Sequence, residues 1–192
     1  MPRATPSGTG DIYQLTVTLV DIEPPIWRRI QVPADITLAR LHTVLQVTMG
    51  WLDYHLHAFR VGDVEYGRPD PEYVAMGVEL KDDRRAKLSK IAPEVGTRFT
   101  YQYDFGDNWE HEIVVEEILP SEPRVRYPRV LAGGRACPPE DVGGIPGYAD
   151  FLEVIGDPTD EEHEHFVEWS GGAFDPEAFD VDAKNREFDA VF

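Results

Sequence analysis

Apolar and polar residues alternate along the first part of the chain, and a period of two is typical of half-buried β-strands. Over residues 12–20 the odd-numbered positions from 13 to 19 are apolar, and the positions between them are mostly polar. The segment Glu23-Pro24-Pro25 interrupts this pattern, and β-branched and aromatic residues resume it over residues 26–32. We therefore expect two strands separated by a proline-containing turn.

The same alternation predicts a strand over residues 55–61, a short partner strand over residues 64–66, and a long hairpin over residues 97–119. The hairpin tip Asp104-Phe105-Gly106-Asp107-Asn108 has turn chemistry, because glycine accepts a positive φ and Asp and Asn hydrogen-bond the local backbone. The returning strand places Trp109, His111, Ile113 and Val115 on one face, with glutamates opposite.

A spacing of about 3.6 residues predicts a helix over residues 37–49. Its apolar stripe consists of Leu38, Leu41, Leu45 and Met49. Asp35 or Thr37 is placed to cap its start, and Gly50 stands where a glycine commonly ends a helix.

After residue 120 the pattern changes, since proline, glycine and arginine dominate residues 121–147 and predict a long loop. Helical patterns follow over residues 146–156, between residues 157 and 171, and over residues 182–188. Strands followed by helices indicate the α+β class. We expect a mostly antiparallel or mixed sheet with one or two packed helices and a helical, acidic C-terminal third.

The expected domain organisation is a flexible N-terminus at residues 1–10 and one domain at residues 11–192. Within that domain we expect a strand-rich core at 11–120, the loop at 121–147 and a helical acidic subdomain at 148–192. Of the 192 residues, 42% are hydrophobic and 11% aromatic, which excludes a disordered chain. The longest uncharged run, residues 41–52, is too short for a transmembrane helix.

The formal net charge is −18, and residues 138–192 contain 16 acidic and only two basic residues. Nucleic acids are bound by clustered Lys and Arg, so this charge disfavours a nucleic-acid partner. The one basic cluster, residues 81–90, is either a solvated face or a docking patch for an acidic partner, including the acidic third of the same chain. A single cysteine, Cys137, excludes an internal disulfide and favours a cytoplasmic location.

His55-Leu56-His57 is the first candidate site. Two histidines at alternate positions of a strand point to the same side, so both imidazoles can reach one divalent metal ion. Zinc, iron or manganese would require a further His or carboxylate ligand. The alternative interpretation is a pair of half-buried histidines that are hydrogen-bonded within the hairpin.

The hairpin tip and the following strand form a second candidate, with Asp104, Asp107, Trp109 and His111 as binding residues. Carboxylates and an imidazole together bind metals or transfer protons. The alternative is that the acidic residues serve the turn and that Trp109 belongs to the core.

A third candidate is Glu140-Asp141, which stands between Cys137-Pro138-Pro139 and Val142-Gly143-Gly144. Prolines restrict the backbone and glycines permit close approach, so this loop can present a carboxylate to a site. The alternative interpretation is a packing loop that caps the following helix. Cys137 is a nucleophile or ligand only in principle, because a lone thiol beside two prolines is more often buried.

Four segments together resemble the plasmid pRiA4b ORF-3-like family: Ile26-Trp27-Arg28-Arg29, residues 51–59 (WLDYHLHAF), residues 103–111 (YDFGDNWEH) and residues 137–144 (CPPEDVGG). The resemblance extends over about residues 11–190. It implies a bacterial or archaeal α+β protein, associated with plasmids or mobile elements, for which no catalytic residues are established. Some members are labelled as TnpR-type insertion-element passengers, a label that suggests a resolvase and DNA recombination.

The leading hypothesis is a ligand- or partner-binding module with a polar cleft between the sheet and the loop before residue 148. The alternative is a metal-dependent enzyme, a hydrolase, that uses the same His, Asp and Glu residues. A DNA recombination accessory is the third hypothesis, and the net charge of −18 disfavours it. The sequence decides neither the reaction nor the ligand.

Overall fold

A computed structural model of the chain describes residues 10–69 and 80–192, so residues 1–9 of the predicted flexible N-terminus lie outside the described residues. Within that part of the chain, eight strands form a single sheet in the order β5-β4-β3-β6-β7-β1-β2-β8. The strands are β1 Asp11–Leu19, β2 Trp27–Pro33, β3 His57–Val61, β4 Val64–Gly67, β5 Lys81–Asp82, β6 Arg98–Tyr103, β7 Trp109–Pro120 and β8 Arg129–Gly134. The helices are α1 Leu38–Met49, α2 Leu88–Ile91, α3 Gly144–Gly156, α4 His163–Trp169 and α5 Val181–Val191.

The sheet is mixed, because β4 and β5 pair in parallel while the other neighbouring strands pair antiparallel. The predicted hairpin is formed by β6 and β7, with Tyr101 opposite His111 and Tyr103 opposite Trp109. The α+β class with a mixed sheet is therefore confirmed.

The core lies between one face of this sheet and α1. Alternate residues of β1, among them Leu15 and Val17, are fully buried, as are Leu41 and Leu45 of α1. The prediction for α1 is confirmed at both ends, since Thr37 accepts a hydrogen bond from the backbone of Arg40 and Gly50 has a φ of 95°. Only glycine adopts such a φ without steric cost.

The helical, acidic C-terminal third is not confirmed as a separate unit. Three helices do lie there, but turns separate them, and Tyr148, Phe151 and Phe188 belong to the same hydrophobic cluster as the sheet and α1. The helix predicted between residues 157 and 171 is reduced to α4, because the acidic residues before it form hydrogen-bonded turns.

The prediction of a long loop over residues 121–147 missed β8. Prolines and glycines around this strand obscure its alternation, so the pairing with β2 decides its conformation. At the outer edge of β8, Val130 bonds through both its N–H and its C=O to the side-chain amide of Asn185 on α5. The helix thereby covers a backbone edge that would otherwise be open to another strand.

Arg28 of β2 is buried, with 1% of its surface exposed, and it links three elements. Its guanidinium donates to the carbonyl oxygens of Thr48, Gly134 and Arg135, and its charge lies 3.9 Å above the Phe179 ring. Desolvation by burial lowers the pKa of Arg28 to about 10. The Ile26-Trp27-Arg28-Arg29 segment therefore has a structural role at this position.

The basic residues of the segment 81–90 form the described ion pairs with acidic residues of the N-terminal half of the chain. Arg84 and Arg85 pair with Asp82, and Lys87 lies 3.9 Å from Asp35. None of these acidic partners lies in the C-terminal third. Among the described residues, no helix is both long and apolar enough to span a membrane.

Candidate functional site

Three loops meet at one end of the sheet: the segment before β3, the β6–β7 hairpin tip and the loop before α3. Leu52 donates its backbone N–H to Glu140 Oε1 at 2.8 Å, and Gly143 donates its N–H to Asp107 Oδ2 at 3.0 Å. These two bonds tie the third loop to the other two. The tip site is defined here as His55, Asp104, Glu140 and Asp141.

His55 lies at the centre of the tip site. Its Nε2 atom is 2.9 Å from Asp141 Oδ1, 3.6 Å from Asp104 Oδ2 and 4.0 Å from Glu140 Oε2. This nitrogen is buried, yet it makes no hydrogen bond, because even the nearest carboxylate lies outside hydrogen-bond geometry. A buried ring nitrogen with carboxylate contacts but no aligned hydrogen bond is incompletely satisfied, so its surroundings suit a group that the carboxylates would share with it.

The ligand atoms of His55, Asp104 and Asp141 all lie within 4.8 Å of one another. In a tetrahedral site with bonds of about 2.0–2.1 Å, two ligand atoms are separated by about 3.3 Å. The two nitrogen–oxygen distances of 2.9 and 3.6 Å lie on either side of that value. The two nitrogen–oxygen separations are therefore close to those around a tetrahedral divalent cation, and the remaining separation, between the two carboxylate oxygens, is at most 4.8 Å.

Two of the acidic residues of the tip site have left-handed backbone conformations. Asp104 has a φ of 52° and Asp141 a φ of 58°, and Asp53 nearby has a φ of 59°. Asp and Asn enter this region more readily than other non-glycine residues. The local turns thus favour a short acidic side chain at these positions.

Glu140 is held in place by two donors. Its Oε1 atom accepts from the N–H of Leu52 and from the hydroxyl of Tyr103 at 3.0 Å, which leaves Oε2 on the side of His55. Burial, followed by the charge of Glu140, raises the pKa of Tyr103 well above its usual range, so the hydroxyl stays a donor. Tyr103 was not among the predicted site residues, because a tyrosine at the end of an alternating strand is equally typical of the core.

The two acidic residues of the hairpin tip have different roles. Asp104 Oδ1 accepts from the N–H of Gly106, as a turn residue does, while its Oδ2 faces His55. Asp107 binds the following loop instead, and its backbone passes so close to Gly144 that a Cβ there would lie 2.6 Å from Asp107 O. Asp107 therefore holds the loops together and lies outside the ligand group.

Trp109 and His111 require a correction. Both had been expected to line the cleft, but they are 1% and 0% exposed and face the core. His111 donates from Nδ1 to the carbonyl of Tyr101, and burial lowers its pKa to about 4. Neither side chain reaches solvent at the tip site.

The expectation that His55 and His57 share one ion rested on a strand through both residues. The strand begins at His57, and the two imidazoles have different carboxylate partners. His57 Nε2 lies 2.9 Å from Asp83 Oδ2, and its ring stacks on His42 with centroids 3.6 Å apart. Only His55 is brought to the tip site.

A cavity of about 420 Å³ lies apart from the tip site, between β2 and α5. It is lined by Arg28, Met49, Cys137, Phe179 and Lys184, among other residues, and by none of the acidic residues of the tip site. Desolvation raises the pKa of Cys137 to about 12, so its thiol stays protonated. A protonated thiol is neither an effective nucleophile nor a good metal ligand.

Nearly the whole chain is similar to known proteins. The family described as "Plasmid pRiA4b ORF-3-like protein" matches residues 11–183. The uncharacterized protein y4hQ of Sinorhizobium fredii (strain NBRC 101917 / NGR234) is 42% identical over 182 residues, covering 94% of this chain and 92% of that protein. The crystal structure of MM3350 from Methanosarcina mazei Go1, a protein of unknown function, has a TM-score of 0.80 and 40% identity, covering 91% of this chain and 97% of that one.

Proposed function

We propose that this chain, which belongs to the plasmid pRiA4b ORF-3-like protein family, is a ligand-binding module whose tip site holds a divalent cation. His55, Asp104 and Asp141 would supply the protein ligands, with Glu140 beside them. The relatives named above are themselves uncharacterised, so the proposal depends on the residues of this chain.

One observation carries the proposal. The Nε2 atom of His55 is buried, has no hydrogen bond, and is surrounded by three carboxylates at 2.9 to 4.0 Å. The ligand oxygens of Asp104 and Asp141 lie within 4.8 Å of each other, so the two carboxylates would repel without a shared cation, whereas a bound cation would neutralise them and use the nitrogen lone pair.

The donor set favours particular ions. Imidazole nitrogen is a good ligand for zinc, iron and nickel, and carboxylate oxygen suits manganese, magnesium and calcium. One nitrogen with two or three carboxylate oxygens therefore favours Zn²⁺ or Mn²⁺ over Ca²⁺ or Mg²⁺. The protonated thiol of Cys137, which lines the separate cavity, contributes nothing to this set.

Calorimetric titration of Mn²⁺ and Zn²⁺ into chelator-treated protein tests the proposal. We expect one ion per chain, and we expect His55→Ala and Asp141→Asn each to weaken binding by about 100-fold or more, since even second-shell changes cost 10- to 100-fold. Asp141→Asn keeps a side chain that tolerates a positive φ.

Two matched controls separate ligation from general damage. Asp21 is exposed and has a φ of 61°, so Asp21→Asn makes the same chemical change in the same backbone conformation. His165 is an exposed histidine of α4, and His165→Ala removes an imidazole elsewhere. Unchanged binding in the controls is expected, whereas equal losses in all four variants, or no binding by the unaltered protein, would contradict the proposal.

A metal-dependent hydrolase is the second candidate, and it is favoured by the number of ligands. Catalytic zinc sites commonly use three protein ligands and leave one position for water, and three residues form this group. Hydrolysis of bis(p-nitrophenyl) phosphate and p-nitrophenyl acetate by the Mn²⁺- or Zn²⁺-loaded protein tests it. Turnover that Asp141→Asn abolishes and Asp21→Asn preserves would support a hydrolase. If the unaltered protein shows no turnover, the hydrolase candidate fails and only the cation-binding proposal stands.

A role in DNA recombination, which the TnpR label suggests, is not part of the proposal, because a net charge of −18 opposes contact with phosphates. The cytoplasmic location stays a prediction.

A further inference from the structure

We propose that the tip site docks an extended polypeptide segment of mixed basic and apolar residues, which lies across the cation; this inference rests on the proposed function. Two independent features of the three loops carry it, the position of the exposed apolar side chains and the sign of the charge.

The exposed apolar side chains concentrate around the tip site. Among the described residues eight large apolar side chains are exposed, and four of them lie in the two segments that carry His55 and Asp104. These four are called the apolar collar: Leu52 at 61% exposure, Tyr54 at 69%, Leu56 at 42% and Phe105 at 37%. Clusters of exposed apolar side chains mark interaction sites, whereas single exposed apolar side chains are normal.

The collar is attached rigidly to the tip site. The backbone of Leu52 bonds Glu140, and the backbone of Tyr54 donates to the Tyr103 hydroxyl at 3.1 Å. Asp104 donates its N–H to the carbonyl of Leu56 at 3.0 Å. The backbone that carries the collar is therefore fixed to the residues of the tip site, so a partner could dock without the loops first having to order.

The loops carry charge of one sign only. Residues 51–57, 103–109 and 137–144 contain five acidic residues and no Lys or Arg, the acids being Asp53, Asp104, Asp107, Glu140 and Asp141. One divalent cation leaves this surface negative, so it attracts a basic partner and repels an acidic one.

The length of the collar segment suits a short peptide ligand. Residues 52 to 56 span up to about 13 Å of chain, which matches several residues of an extended ligand. Aromatic side chains such as Tyr54 are also enriched at protein interfaces.

Fluorescence anisotropy with two labelled peptides tests the inference. The probes are the hexapeptide Leu-Lys-Tyr-Lys-Leu-Lys and its matched neutral partner Leu-Gln-Tyr-Gln-Leu-Gln, each added to the Mn²⁺-loaded protein. We expect the lysine peptide to bind with an affinity that falls with salt and the glutamine peptide to bind at least about tenfold more weakly. The double variant Leu52→Ser, Tyr54→Ser should weaken binding by about tenfold or more, because central interface residues carry most of the affinity.

The control is Val95→Ser, which removes an apolar side chain of 59% exposure outside the three loops and should leave peptide binding unchanged. The collar variants supply no ligand atom, so their Mn²⁺ binding should stay that of the unaltered protein. If Mn²⁺ binds but neither peptide does, or both bind equally, the docking inference is overturned and the cation site stands. If the lysine peptide binds through the collar but Mn²⁺ does not bind, the cation proposal is overturned and the acidic residues alone account for docking.

Discussion

The imidazole rings of His42 and His57 stack face to face, with their centroids 3.6 Å apart and their planes inclined by 8°. The hydrogen-bond network sets the protonation of His42. Gln46 accepts from the backbone of Asp53 through Oε1, so its amide nitrogen donates to the Tyr101 hydroxyl. That hydroxyl then donates to His42 Nδ1, and His42 Nε2–H donates to Asp53 Oδ1. His42 is therefore neutral in the folded protein.

Acidification should destabilise the protein between pH 6.5 and pH 4. Burial, the charge of His57 and the weaker opposing contacts of Asp53 and Asp83 bring the pKa of His42 to about 4, and burial does the same for His111. In the unfolded chain both histidines take up a proton near pH 6.5. The stability that comes from keeping them neutral in the folded protein is therefore fully present above that pH and is lost as the pH falls towards 4.

When the pH is lowered from 7 to 5, we expect the free energy of unfolding to fall by about 1–2 kcal/mol for each of the two histidines. Urea unfolding at the two pH values measures this loss. His111→Phe keeps a buried ring, so it should reduce the loss to that of His42 alone. An equal loss in the variant and the unaltered protein would contradict the lowered pKa of His111.

Gly147 holds the loop that carries Glu140 and Asp141, although it supplies no ligand atom. A Cβ at Gly147 would lie 2.0 Å from the carbonyl oxygen of Val142, whereas a Cβ at Gly156, at the other end of α3, would meet nothing within 4 Å. Gly147→Ala should therefore displace the loop and weaken Mn²⁺ binding by about tenfold or more, because changes in the residues that position metal ligands commonly cost that much affinity. Gly156→Ala is the control, and titration of both variants with Mn²⁺ decides the point; equal affinities would refute the positioning role.

Tyr103→Phe should loosen Glu140 without altering the core. The change removes a hydroxyl that donates to Glu140 Oε1 and accepts from the N–H of Tyr54. We expect a several-fold loss of Mn²⁺ affinity and a loss of about 1–2 kcal/mol of stability. The Tyr148 hydroxyl is buried without a partner, so Tyr148→Phe should cost nothing in either measurement. Similar results for the two variants would show that the hydroxyl of Tyr103 has no special role.

We expect Asn185 to stabilise the β8 edge of the sheet. Its amide makes two hydrogen bonds to the backbone of Val130, so we expect Asn185→Ala to lower the free energy of unfolding by about 1–2 kcal/mol, even though alanine favours the helix. Arg186 is exposed on the same helix, and Arg186→Ala should change stability by less than about 0.5 kcal/mol. Chemical denaturation compares the two, and equal effects would contradict the role of Asn185.

Local patterns were enough to predict the elements whose burial is one-sided. Alternation predicted β1 and the β6–β7 hairpin, and the capping residues Thr37 and Gly50 bounded α1 correctly. The strand β8 was missed because its conformation depends on pairing with β2, a contact that no local pattern contains.

For the tip site too, local sequence patterns predicted the residue types, whereas their arrangement depends on tertiary contacts. The sequence indicated His55, Asp104, Glu140 and Asp141 as residue types, and the fold brings them together from three loops. Period-two spacing wrongly joined His57 to His55, because the strand starts two residues later than expected. Asp107 and Asp104 look equivalent in the sequence, and only the path of the loop before α3 separates their roles.

The central claim is that the tip site binds a divalent cation, and anomalous diffraction from a crystal of the unaltered protein soaked in Mn²⁺ tests it most directly. We expect one strong anomalous peak about 2.0–2.3 Å from His55 Nε2 and from a carboxylate oxygen of both Asp104 and Asp141. A well-ordered tip site without such a peak, or manganese bound only at other residues, would contradict it.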